Sequence, residues 1–253
     1  MPRSYYIGID LAWGDRRPDG ICVLEQTRDQ VILREVGLSR GDECLVEKLT
    51  GLREQGACIV AMDAPVICQN LTGARPVDRE ASREFARFKC GCYPTNLTHH
   101  PRPPRIALAL SQVGFQLQTQ GKHILFEVYP HPAMVRWFGL TERIPYKKGT
   151  VAQRRRHFGV LQKHLRQCLK IYFPELIVCR SLAALLQTDW HKDIEDQTDA
   201  VVCALVAWWH HRYQGSCSQI LGDETSGLMV IPQLESSKEG QSGSASAAAM
   251  PER

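Results

Sequence analysis

Residues 4–12, SYYIGIDLA, form an aromatic and β-branched run that carries an acid, Asp10, near its end. Two further runs follow, GICVLEQT (20–27) and QVILREVGL (30–38), the second pair parted only by the polar Arg28-Asp29. Links this short join antiparallel neighbours, so the chain is expected to open with three antiparallel strands. Leu45, Leu49 and Leu52 then fall at i, i+4 and i+7, which predicts an amphipathic helix over 42–55. After Gly56 the segment ACIVAMDAPV is almost continuously apolar, as expected of a strand covered on both faces, and it too ends in an acid, Asp63.

Beyond this alternation of strand and helix the rhythm breaks. Residues 68–104 carry Arg75, Arg79, Arg83, Arg87, Lys89 and Arg102, with four prolines from Pro94 to Pro104. The stretch reads as a basic surface insertion, helical over 78–88, packed beside a site. Ile106, Leu110, Val113 and Leu117 mark another helix, and HILFEVY (123–129) a strand carrying Glu127 that Pro130-His131-Pro132 stops. Helices are expected across 151–170 and from Gln197 to Tyr213, with LMVI (228–231) as one more short strand. Residues 1–232 then form one domain, and the Ser, Gly and Ala of 233–253 a disordered tail.

With 253 residues, 43% hydrophobic and 23% charged, the composition is that of a globular chain and excludes a fibrous or wholly disordered one. No apolar run reaches the roughly 18 residues that a bilayer requires, and MPRSYYIGID lacks the apolar core of a signal peptide. The expected location is therefore cytoplasmic, away from membranes. Ten scattered cysteines fit a reducing compartment better than a disulfide framework.

Four acids stand in otherwise apolar surroundings: Asp10 and Asp63 after strands, Glu127 near the end of another, and Asp199 at the start of the last helix, with Asp196 one turn earlier. Strand ends of an α/β sheet create the crevice where ligands bind, so acids far apart in sequence can converge there. Carboxylates at close range repel unless a cation joins them, and hard oxygen donors select Mg²⁺ or Mn²⁺. Such ions can activate water against a phosphodiester. Each acid also has a plain structural reading: Asp10 and Asp63 as strand terminators, and Asp196 as an N-cap with Asp199 favoured by the helix dipole.

The elements IGIDLAWG (7–14), AMDAP (61–65), RPVDREASR (75–83), FEVYPHPAM (126–134), YKKG (146–149) and DQTDAVVCALVAW (196–208) resemble the predicted nucleases of the ribonuclease H fold catalogued as domain of unknown function family 429. The resemblance runs to about Pro232. It implies an α/β, ribonuclease H-like mixed sheet of five strands, three antiparallel and then two parallel, flanked by helices. It also implies that Asp10, Asp63 and Asp199 are metal ligands, with Asp196 an auxiliary acid and Glu127 within a Glu-x-x-Pro element. Asp10, Asp63, Glu127 and Asp199 are taken as the catalytic residues and Asp10, Asp63, Asp196 and Asp199 as the metal ligands, with Glu127 or Asp196 assisting the second ion or the water.

Between Lys147 and Lys170 lie eight basic residues and no acid, a local +8 in a chain of net +4. This suits a polyanion, or equally a solvated helix face opposite Phe158, Leu161 and Leu165. Arg75, Arg79 and Arg83 recur every four residues, and guanidinium forks bind phosphate bidentately. Arg75, Arg79, Arg83, Lys147, Lys148 and Arg155 are therefore the candidate substrate-binding residues. Cys90-x-Cys92 with His99-His100 departs from usual zinc spacing, and Trp208-Trp209 read as core. The expected function is a Mg²⁺- or Mn²⁺-dependent nuclease acting on DNA or RNA. The alternative is a non-catalytic module of the same fold that binds nucleic acid or a nucleotide and regulates a partner. Small-molecule phosphoryl transfer has no Gly-rich phosphate loop to support it.

Overall fold

The computed structural model describes residues 3–234, so the expected tail lies, from residue 235 onward, outside the described residues. β1 (Ser4–Asp10), β2 (Asp19–Thr27) and β3 (Gln30–Ser39) form the antiparallel opening that their short links predict. α1 (Asp42–Gln55) buries Leu45, Leu49 and Leu52 and returns the chain to β4 (Ala57–Met62), which runs parallel to β1 with Ile9 opposite Met62. α2 (Pro76–Phe85), a short 3₁₀ turn (Ala86–Phe88) and α3 (Arg102–Gln112) precede β5 (His123–Val128), parallel to β4. α4 (Pro130–Phe138), α5 (Val151–Tyr172), β6 (Leu176–Ile177), α6 (Arg180–Leu185), α7 (Lys192–Arg212), β7 (Ser218–Asp223) and β8 (Gly227–Pro232) complete the order.

The sheet has eight strands, not the five expected, in the order β6-β3-β2-β1-β4-β5-β8-β7. The three extra strands lie at its edges. β6 is two residues long and pairs with β3, too short to leave a periodic signal. β7 and β8 form a hairpin whose β8 runs parallel to β5. The basic insertion is also more than surface: Val77, Ala81, Phe85 and Cys90 pack with Leu221, Met229 and Ile231 of that hairpin into a small core of their own. Among the described residues no helix is long and apolar enough to cross a membrane. All ten cysteines are free thiols.

Side chains alternate between the two faces of the strands, and this parity sorts the core. Tyr5, Ile7 and Ile9 of β1 and Cys58, Val60 and Met62 of β4 face α1 and α3. Tyr6, Ile59, Ala61, Ile124 and Phe126 face the opposite layer, where α7 and α5 lie. α7 is apolar nearly all round from Ala200 to Trp209, as befits a helix buried between sheet and other helices. α5 starts at a reciprocal cap between Thr150 and Gln153 and buries Phe158, Leu161, Leu165 and Leu169.

The contact of α7 with the sheet has no room for a side chain at two points. A Cβ on Gly8 would sit 2.0 Å from the Ala200 carbonyl oxygen and 2.2 Å from the Ala204 nitrogen, and one on Gly20 would sit 2.2 Å from the Asp196 carbonyl oxygen. These are backbone atoms that cannot swing aside. Gly8→Ala is therefore expected to cost at least the ~3 kcal/mol of a severe overpacking, or to prevent folding. Gly37→Ala, on β3 with nothing within 4 Å of its Cβ, should be neutral or slightly stabilising. Urea unfolding of the two variants checks this, and equal stability would contradict the close backbone packing.

Candidate active site

Asp10 is the last residue of β1, and the Asp63 N–H, just past β4, donates to the Ile9 carbonyl at 2.8 Å. The two acids thus leave adjacent parallel strands at the same end. Close packing of α7 at Gly8 and Gly20 brings Asp196 and Asp199 to them. Asp199 is fully buried, and both its oxygens are engaged: Tyr146 Oη donates to Oδ1 at 2.6 Å, and Lys147 Nζ lies 2.7 Å from Oδ2. Lys192 Nζ binds Asp196 Oδ1 at 2.6 Å and Glu195 Oε1 at 2.8 Å. Among the described residues the Asp10 and Asp63 carboxylates have no hydrogen bond or ion pair.

Crowding shows in the titration of these groups. Burial pushes Asp10 well above the usual carboxylate range; Lys147 opposes this, while Asp199, Asp63 and Asp196 add to it. Asp63 is raised by burial to about 7, against Lys147, with Asp199 and Glu127 reinforcing the rise. Burial likewise raises Asp199 in spite of Lys147 and Tyr146. Burial disfavours the Lys147 ammonium, yet Asp199, Tyr146, Asp10 and Asp63 outweigh it and hold the charge firmly. Lys147 is thus the cation of the cluster. Nearby His131 is kept neutral by burial and by Lys147, Arg143 and Lys148.

Asp10, Asp196, Lys147 and Lys192 line a cavity of about 520 Å³ whose other wall is the loop 11–18. Among the described residues no three Asp, Glu, His or Cys side chains close tightly enough around one point to hold a metal ion. The donor chemistry at Asp10 and Asp63 nonetheless fits Mg²⁺, which takes one or two carboxylates and fills the remaining positions with water and substrate phosphate. Asp196 is no N-cap, since α7 begins a turn earlier with His191 in that position.

Glu127 and Arg75 are engaged with each other and not with Lys147. Phe126 and Val128 belong to the α7 side of the sheet, so parity turns Glu127 the other way. There Arg75, 1% exposed, donates to both Glu127 oxygens at 2.7 Å and to Asp78 Oδ1 at 2.7 and 3.1 Å. Burial alone would depress the Arg75 pKa; Glu127 and Asp78 reverse that and keep the guanidinium charged. Arg75 is the residue before α2, not part of its helical row, which leaves Arg79 and Arg83 exposed without it. Arg79 donates to the Ala74 carbonyl. Arg79, Arg83, Lys148 and Arg155 are not among the residues lining the cavity. Lys147 does line it, bound to Asp199 rather than free for phosphate.

Tyr146, Lys192, Trp13, Arg16 and Arg17 belong to the site although the sequence pattern does not single them out as candidates. Trp13 lies inside the IGIDLAWG element and Tyr146 opens YKKG, so a motif signal exists for both. Lys192 has none, because its role arises from a helix that starts five residues earlier than its apolar pattern.

This geometry has two measurable consequences. Glu127→Gln should lower stability by about 1.5–3 kcal/mol, the cost of losing a charged hydrogen-bond partner while Asp78 still pairs with Arg75. Unchanged stability with lost activity would instead make Glu127 a reacting group. Asp63 titrates near 7 when folded and near its ordinary 3.8 when unfolded, so its protonated form contributes stability that is complete below about pH 4 and is lost as the pH rises through about 7. Unfolding midpoints of the wild type should therefore fall relative to Asp63→Asn across that window. Parallel pH curves would refute the raised pKa.

A family model described as "Protein of unknown function (DUF429)" matches residues 8–226, most of the chain. No curated protein and no solved structure matches it.

Proposed function

We propose that this chain, which belongs to the DUF429 family, is a metal-dependent nuclease of the ribonuclease H-like class. The observation that carries the reading is the gathering of Asp10, Asp63 and Asp199 about the Lys147 ammonium, with Asp196 held by Lys192 beside them, next to an open cavity that Asp10, Asp196 and both lysines line. The central strand order β3-β2-β1-β4-β5, three antiparallel and then two parallel, supports the fold assignment, as does an acid-bearing final helix laid across β1.

Asp10 and Asp63 would hold Mg²⁺ or Mn²⁺ through oxygens that nothing else engages. When bound, the ion supplies a polarised phosphoryl oxygen and a water of lowered pKa. Lys147, fixed by Asp199 and Tyr146, holds a positive charge beside the same point, where negative charge develops on phosphate. Asp199 thereby acts as the residue that positions Lys147. Arg16 and Arg17, exposed on the cavity wall, would grip the backbone of DNA or RNA, with Lys148, Arg79, Arg83 and Arg155 as outlying cations. Ten free thiols are consistent with a reducing, cytoplasmic setting.

One observation favours the second reading, a non-catalytic module that binds nucleic acid: Lys147 already neutralises the cluster without an ion. The two are separated by one set of measurements. Mn²⁺ should raise the melting temperature of the wild type, since a ligand of the folded state alone stabilises by about 2.7 kcal/mol at a hundredfold excess over Kd. Asp10→Asn and Asp63→Asn should lose that rise together with cleavage of labelled DNA or RNA. Lys147→Met should keep the rise and lose about 10²- to 10³-fold in rate, the usual effect of removing one preorganised charge donor. A wild type with neither a metal shift nor cleavage would leave the binding module.

A further inference from the structure

The mouth of the cavity carries an aromatic cluster that the carboxylate chemistry does not use. Trp13, on the cavity wall, meets His100 edge-on with ring centroids 4.6 Å apart, and Tyr93 lies 6.0 Å from Trp13 and 5.6 Å from His100. Tyr93 is 66% exposed, and Arg16 and Arg17, which line the cavity with Trp13, form no ion pair with a described residue. By contrast Trp208 and Trp209 are buried in the core.

The backbone segments that carry these rings are tied down on both sides. On one side the Ala12 N–H donates to Asp19 Oδ1 at 2.8 Å, and the buried Arg102 clamps both Asp19 oxygens at 2.8 and 2.7 Å and also donates to the Ala12 carbonyl. On the other, Asp78 accepts from the Thr95 N–H at 3.0 Å and its hydroxyl at 2.7 Å, and the His100 N–H donates to the Asn96 carbonyl at 2.9 Å. Burial, with His99, also lowers the His100 pKa, so its ring is uncharged at neutral pH. Segments fixed in advance lose little freedom when a ligand arrives.

We infer that Trp13, Tyr93 and His100 form a stacking platform for unpaired bases, with Arg16 and Arg17 on the adjoining phosphates, so that the strand entering the cavity is single. This rests on the nucleic-acid reading above and narrows it. Every base offers a π-face, but in a duplex those faces are occupied by neighbouring bases and only edges reach the grooves. An exposed Tyr93 with half-buried Trp13 and His100, beside arginines that form no ion pair, matches a strand whose bases are splayed, and the groove of a duplex gives such rings nothing to stack on.

Fluorescence anisotropy in chelator, where no strand is cut, tests the platform. The probes are a labelled single-stranded oligothymidylate, an abasic oligomer of equal length and charge, and a blunt duplex. The wild type should bind the base-bearing strand about tenfold or more tighter than the other two, the magnitude of one stacked base. Trp13→Ala and Tyr93→Ala should each remove about tenfold for that strand and leave the abasic oligomer unchanged, while Trp13→Phe keeps most of the affinity. Tyr93 is exposed, so its variant carries the test even if Trp13→Ala unfolds. Equal binding of the base-bearing and abasic strands, or tighter binding of the duplex, overturns the platform while leaving the nucleic-acid reading intact. Binding of none of the three overturns both.

Discussion

The backbone of α7 lies directly on β1 and β2, and this contact depends on two missing side chains, those of Gly8 and Gly20. A helix resting on a sheet is ordinarily held off by side chains of both partners. Here the Ala200 carbonyl and the Ala204 nitrogen come so near β1 that not even a methyl group fits. Burying the apolar run Ala200–Trp209 against the sheet supplies the driving force, because each large apolar side chain hidden from water contributes about 1.5–3 kcal/mol. The consequence is geometric. The polar first turns of α7 are carried to the carboxyl ends of β1 and β4, and four acids and two lysines are forced into one place.

That arrangement works against itself electrostatically. Asp10, Asp63 and Asp199 share a site whose burial disfavours three negative charges, and all three hold their protons more tightly than usual. Lys147 relieves the repulsion from within, and Lys192 does so at the rim for Asp196 and Glu195. The hydrogen bond from Tyr146 and the ion pair with Lys147 leave Asp199 committed, which makes Asp10 and Asp63 the carboxylates with oxygens to offer.

Two arginines that look like surface cations in the sequence are instead buried anchors. Arg75 joins the 64–78 segment to β5 through Glu127, and Arg102 joins α3 to the loop 11–18 through Asp19 and the Ala12 carbonyl, and to α1 through Asp42. Buried pairs of this sort bring little net stability compared with well-packed apolar groups, but breaking one is costly, so they act as registration points for the loops they join. The loops so registered carry Trp13, Tyr93 and the exposed Arg16 and Arg17. Arg75 and Arg102 differ from Arg16 and Arg17 in having two carboxylates within reach, which the one-dimensional spacing of basic residues does not reveal.

Periodicity and turn chemistry act over a few residues, and whatever depends on them alone is legible in the chain. The antiparallel opening, α1 over 42–55, the apolar β4, the strand at 123–128 and the acids after β1 and β4 all come from local pattern, as does the family resemblance in their motifs. The edge strands β6 and β7 are not legible, because a strand of two residues or one with a mostly exposed face has no apolar rhythm and exists only through its partner. Nor is the division among the acids and bases. Glu127 differs from Asp63 by strand parity, Arg75 from Arg79 by its place before the helix, and Lys147 from Lys148 by which one reaches Asp199. The order of residues along the chain thus settles which side chains are available and which elements carry them. Which charges share a site is settled only by folding, since it depends on the angle and closeness of α7 to the sheet, and Coulomb interactions, unlike helix and strand periodicity, follow distance in space and not along the chain.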